Sequence, residues 1–351
     1  MQEPVAAENT PDVAKAAENV LHIIDRERER EIISRRFGLH DRKETLEQIG
    51  ELLGITRERV RQLEKAVLIR LRIAGEEGQS DILAIEKVLV RHLSEMGNTA
   101  RLSDLATAVK PGADGIYKSQ VGFIAELSPR LTTLSENDRY HQGVTLKSSF
   151  KDEKAVKKAV DSLVKIIKEH GEAIDLEALF EKTTGYDKPS EVHAVASLSK
   201  NLAELRGFWG LTKWPTVNPK NIRDKIYVIL QDSTKPMHFS DIARAIKDSD
   251  FKRKNVTTQA IHNELIKDKR FVLIGRGIYA LKEWGYSKGT VSDVIADILK
   301  KEAAPLHRDE IVKRVLKSRQ VRETTILLNL QSKPEFKRVA KATYIYAEQD
   351  A

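Results

Sequence analysis

The run TLEQIGELLGITRERVRQLEKAVLIRLR, from Thr45 to Arg72, leaves little choice about its local fold. Thr45 followed three residues later by Gln48 forms a capping box: the threonine oxygen accepts from a backbone N–H, and the glutamine side chain reaches back to the N–H of the cap. Leu46, Ile49, Leu52 and Leu53 supply the buried face of the helix that follows. Gly54 permits the left-handed residue that ends a helix, Ile55 can bury in the corner, and Thr56 is placed to cap a second helix. The expectation is two helices joined by a tight turn, a helix-turn-helix.

In the second helix Val60, Leu63, Val67 and Leu71 fall on one stripe, which leaves Glu58, Arg61, Gln62 and Lys65 on the far face with Arg57 and Arg59 at its edges. At the start of a recognition helix such residues read base edges: arginine pairs with guanine, glutamine with adenine, and glutamate accepts from cytosine. A lone charge run is more often a solvated face, and alternating signs also make ordinary surface pairs. The run RERERE, from Arg26 to Glu31, is read in that second way, with Ile32, Ile33 and Phe37 making the core contacts.

Lysine and arginine outnumber aspartate and glutamate 60 to 52, and the resulting charge of +8 leans toward a polyanionic partner. The absence of cysteine removes disulfides, thiolate zinc sites and thiol nucleophiles, and fits a reducing compartment. No basic segment followed by an apolar one opens the chain, and no stretch approaches a membrane span, so a cytoplasmic, nucleoid-associated protein without membrane contact is expected. No P-loop, GxGxxG, HExxH or nucleophile elbow is present, so no catalytic residues, metal or cofactor are assigned.

The expected fold is mainly α, an N-terminal helix-turn-helix domain followed by tandem winged-helix (α+β) units. A flexible tail covers 1–12, the helix-turn-helix domain 13–74 and a linker 75–81, where GEEGQS interrupts the helical pattern. Four units follow, over 82–147, 154–214, 221–286 and 290–349, each opening with an amphipathic helix: IEKVLVRHL, VDSLVKIIKEH, IRDKIYVIL and VSDVIADILKK. Second helices begin near Arg101, Ile174, Met237 and Leu306, and a strand pair closes each unit. The pair is clearest in FVLIGRGIYAL, where Gly275 and Gly277 flank Arg276 between two apolar runs, and returns in FKRVAKATYIYA with Lys341 near the turn. One elongated helical domain with two such wings is the alternative.

Together, DRERERE, ISRRFGL and TLEQIGELLGITRERVRQLE resemble region 4 of the housekeeping sigma factors, over residues 13–74. The resemblance implies that Arg57, Glu58 and Gln62 read a −35-like promoter element in double-stranded DNA, with Arg59, Arg61 and Lys65 nearer phosphates. It also implies docking on the β flap of the RNA polymerase core. Ile69 stands where that family usually has a basic residue, so Leu68 and Ile69 are expected to pack on Ile82, Ile85, Val88 and Leu89 of the next helix. The basic and aromatic block that melts promoters in a complete sigma factor is missing.

The unit over 221–286 resembles a HARE-type winged helix, the fold shared with the delta subunit of bacterial RNA polymerase, through Pro236, His238, Phe239, Ile242, Phe271, Gly275, Gly277, Tyr279, Leu281 and Trp284. The last unit is a degenerate relative, with Lys341 and Ala342 where the third has its second wing glycine. Gln259, Asn263, Lys267, Arg276 and Lys341 are secondary DNA-binding candidates, or else exposed polar residues of a protein-docking module. His238 and His262 are read as structural. The function expected is a DNA-binding transcription factor or RNA-polymerase-associated factor. A polymerase-binding adaptor comes second, and an accessory subunit of a DNA-processing enzyme last.

Overall fold

The computed structural model describes residues 11–251, 255–286, 289–319 and 321–347, so most of the expected tail, and residues 348–349 of the last unit, lie outside the described residues. Mainly helical with small antiparallel sheets, the chain divides into two compact units, Met1–Lys213 and Trp214–Ala351.

The first unit opens with α1 (Val13–His22), α2 (Glu27–Phe37), α3 (Leu46–Leu53) and α4 (Arg57–Glu76). Asp12 caps α1 by accepting from the backbone of Ala14 and Lys15. The capping box forms as expected, with Gln48 N donating to Thr45 Oγ1 at 3.2 Å and Thr45 N to Gln48 Oε1 at 2.9 Å. Gly54 takes φ +65° at the end of α3, and Thr56 caps α4 by accepting from Arg59 N.

Two cores meet along α4. Val60, near its start, closes a small core with Ile32 and Ile49, against which Leu46, Leu53, Ile55 and Leu63 pack. Val67 and Leu71, two turns further on, belong instead to a large core that runs from α1 to Val144. A helix of this length spans about 30 Å, so α4 is fixed at its far half while its first turns stand in the helix-turn-helix.

Four expectations are corrected here. Leu52 is exposed, because Ile49 and Leu53, one turn apart, fill the face toward α4 and leave Leu52 on the flank. The linker shrinks to residues 77–79: α4 continues through Gly75, whose missing side chain lets it approach Leu127 so closely that a Cβ would meet that residue's carbonyl oxygen at 2.7 Å. Ile69 is 46% exposed; it is Leu68, with Val67 and Leu71, that joins the large core to which Ile82, Ile85 and Leu89 belong, because helical phase turns Ile69 away. RERERE is not wholly solvated, since Glu29 is buried.

One plan then repeats four times. The first copy is α5 (Ser80–Glu95), β1 (Thr99–Arg101), α6 (Leu102–Val109), α7 (Gly115–Leu127), β2 (Leu131–Leu134) and β3 (Gly143–Leu146). The second is α8 (Glu153–His170), β4 (Ile174–Asp175), α9 (Leu176–Glu181), α10 (Pro189–Ser197), β5 (Leu202–Leu205) and β6 (Phe208–Leu211). In the second unit come α11 (Ile222–Ser233), β7 (Met237–His238), α12 (Phe239–Asp248), α13 (Thr258–Lys267), β8 (Phe271–Gly275) and β9 (Ile278–Leu281). Last are α14 (Val291–Glu302), β10 (Leu306–His307), α15 (Arg308–Ser318), α16 (Glu323–Ser332), β11 (Phe336–Ala340) and β12 (Thr343–Tyr346).

Each copy folds its hairpin so that the last strand lies between the other two: β1-β3-β2, β4-β6-β5, β7-β9-β8 and β10-β12-β11. The short first strand pairs in equivalent registers, Ala100 with Val144, Ile174 with Trp209, Met237 with Tyr279 and Leu306 with Tyr344. All four copies therefore carry a hairpin, where the alternative of one elongated domain has two.

Candidate nucleic-acid interface

The helix-turn-helix is held by charges that link α2 to α4. Buried Glu29 receives Arg70 of α4 and, at 3.4 Å, Arg26. Arg36 pairs with Glu64 at 3.1 Å and donates to the Glu44 carbonyl, while Arg28 donates to the Leu53 carbonyl at 2.5 Å. A carboxylate withdrawn from water needs such partners, and these fix the rotation of α4 about its axis. Arg72 extends the bracing to Glu126 of α7.

With Val60, Val67 and Leu71 facing inward, Arg57, Glu58, Arg59, Arg61, Gln62 and Lys65 are all exposed. Four of them form one network. Arg61 grips Glu58 with two bonds, Nε to Oε2 at 2.8 Å and Nη2 to Oε1 at 2.6 Å. Gln62 donates to Glu58 at 3.3 Å, and Arg59 donates to Gln62 at 3.4 Å. Arg57 stands apart, 4.0 Å from Glu47. The network presents donors and acceptors in fixed order, but Glu58 is engaged by Arg61, so a base that needs its carboxylate must share it.

The Arg61 bonds lower the Glu58 pKa to about 2, with smaller help from Gln62 and the charge of Arg57. Because the folded value lies below the ordinary one, the pair's contribution is present above the unfolded pKa and is lost as pH falls toward 2. Glu58 thus stays ionised at every pH at which DNA binding is measured. The expected result by NMR is a Glu58 carboxyl midpoint near 2 that climbs toward the usual glutamate value in Arg61→Ala. A midpoint unmoved by that substitution contradicts the pairing.

The second set of sequence candidates lies in the other unit. Gln259 and Asn263 are exposed and bonded to each other at 3.1 Å on α13, and Lys267 is exposed near the end of that helix. Arg276 and Lys341 are exposed at two hairpin turns, the second made by Ala342 at φ +56° where the first has Gly277 at +71°. His238 caps α12 and stacks on Phe239, which meets His262 edge-on. No group of residues able to hold a metal occurs among the described residues.

Residues 26–72 match the family Sigma-70, region 4. Over 46 residues the chain is 59% identical to the RNA polymerase principal sigma factor HrdC of Streptomyces coelicolor, covering 13% of this chain and 14% of that protein. It is 48% identical over 56 residues to the sigma factor SigA of Microcystis aeruginosa, covering 16% and 13% respectively. Against the sigma factor RpoS of Coxiella burnetii the figures are 40% over 90 residues, 21% of this chain and 25% of the other. The chain thus spans a quarter or less of the length of these sigma factors. No helix among the described residues is long and apolar enough to cross a membrane.

Proposed function

We propose that this chain is a DNA-binding transcription factor, or RNA-polymerase-associated factor, whose α3–α4 pair reads a −35-like element in double-stranded DNA. The observation that carries the reading is that a segment similar to sigma region 4 turns Arg57, Glu58 and Gln62 together out to solvent on a braced helix. In this reading those three meet base edges, and Arg59, Arg61 and Lys65 lie nearer phosphates. The four repeated copies serve as winged-helix units, the third of HARE type and similar to the polymerase delta subunit, and the fourth a degenerate relative. Gln259, Asn263, Lys267, Arg276 and Lys341 add secondary contacts. The protein acts in the cytoplasm at the nucleoid, is not an enzyme, and meets the polymerase core at the β flap.

Ile69 and Ile73, one turn apart on α4 and both about half exposed, favour a second reading in which this helix also docks a protein. Binding of labelled duplexes by the full chain at graded salt separates the two. DNA binding predicts a log–log slope of about −0.9 per phosphate neutralised, and losses of roughly 1–3 kcal/mol for Arg57→Ala or Gln62→Ala on a preferred site. A salt-insensitive polymerase complex with no duplex binding favours the adaptor.

A further inference from the structure

Outside every residue assigned so far, the first unit gathers cations from separated segments. Lys43 lies in the turn leading into α3, two residues before the cap Thr45, and its ammonium donates to Gln142 Oε1 at 3.3 Å in the loop between β2 and β3. That loop is itself held firmly: Tyr140 bridges to Ser199, His141 N donates to the Leu198 carbonyl and Lys200 N to the Arg139 carbonyl, both at 2.8 Å. Lys200 thereby comes beside the loop and pairs with Glu136 at 2.8 Å.

Lys118 of α7 and His141 lie close enough for their charges to act on the same Glu136. Lys43 is lowered in pKa by burial and then by the charges of Lys118 and Arg36; His141 is lowered by burial and then by Arg101 and Lys200. Arg36 is engaged by Glu64 and the Glu44 carbonyl. Beside Lys43, Lys118, Lys200 and Arg101 stand Glu136 and Asp104, while Asp41 and Asp114 line a depression together with Arg42 and Lys43.

Position decides what these cations fit. The first helix of a helix-turn-helix crosses the DNA backbone while the second enters the groove, so the turn entering α3 is on the phosphate side. A depression lined by Arg36, Thr45, Leu46, Glu47 and Arg57 joins that turn to the start of α4. We propose that Lys43, Lys118 and Lys200, with Arg101 and His141 beside them, form a track for the sugar–phosphate backbone of duplex DNA, leading from α3–α4 across the loop between β2 and β3. The track extends the footprint without reading bases, and it rests on the reading of α3–α4 as a DNA-binding pair.

The test uses the full chain and the triple variant Lys43→Gln, Lys118→Gln and Lys200→Gln, with the triple Lys→Arg variant as the charge-retaining control and thermal melts to verify folding. The salt slope of duplex binding becomes shallower by about 0.9 for each phosphate that is no longer neutralised. The hydroxyl-radical footprint shortens at one end, the bases selected from a random pool are unchanged, and the arginine variant keeps the parent slope. The proposal is overturned if the parent selects a sequence while the folded glutamine variant keeps its slope and footprint. It is likewise overturned if these lysines matter only for capture of an acidic protein. A parent chain that selects no sequence defeats the α3–α4 reading itself.

Discussion

Gly50→Ala destabilises the helix-turn-helix, although in an ordinary helix the same change stabilises by about 0.5–1 kcal/mol. Gly50 is buried on α3, and a Cβ there would sit 2.7 Å from the Ile55 carbonyl oxygen. That oxygen cannot retreat easily, because Ile55 N donates back to the Gly50 carbonyl at 2.9 Å and closes the turn. Overpacking of this kind costs about 1–3 kcal/mol. The small core of Ile32, Ile49 and Val60 has few side chains with which to absorb it. Hydrogen exchange on the variant is expected to show weakened protection in α3 and the turn, with α5–α7 unchanged. Equal or greater stability by chemical denaturation contradicts the close approach.

Leu71→Ala has the larger effect, because Leu71 is 2% exposed in the core that anchors the far half of α4. Large-to-small changes at such sites cost about 2–5 kcal/mol. The loss falls on the body of the first unit and also loosens the helix that carries Arg57 and Gln62. Ile69→Arg, two residues away but facing solvent, is expected to change stability by no more than about 0.5 kcal/mol. Denaturation midpoints for the two variants separate these outcomes, and a large loss in Ile69→Arg contradicts the helical phase described here.

Legibility tracked how local the cause was. Thr45, Gln48, Gly54 and Thr56 act within a few residues of themselves, so caps and turn followed from spacing alone, and the outward face of α4 followed from the inward stripe. Errors arose where a partner distant in sequence decides. Glu29 looks like one more charge in an alternating run until Arg70, 41 residues on, draws it inward. Gly75 looks like a linker residue until Leu127 shows why a helix needs a glycine there.

The short strands β1, β4, β7 and β10 left no periodic signal at two or three residues each, and formed only because a hairpin downstream supplied their partner. The proposed track of Lys43, Lys118 and Lys200 is drawn from segments up to 157 residues apart and has no signature in the chain at all. The wing glycines gave a partial signal: Gly277 marks the third hairpin, whereas the fourth makes the same turn with Ala342.

The central claim is that the outer face of α4 reads bases, and selection from a random duplex pool by the full chain tests it most directly. The expected result is that the parent enriches one short element and that Gln62→Ala enriches a version relaxed at a single position while keeping the remainder. Arg57→Ala is expected to relax a different position. A parent and a Gln62→Ala variant that enrich the same element with equal stringency at every position would contradict it.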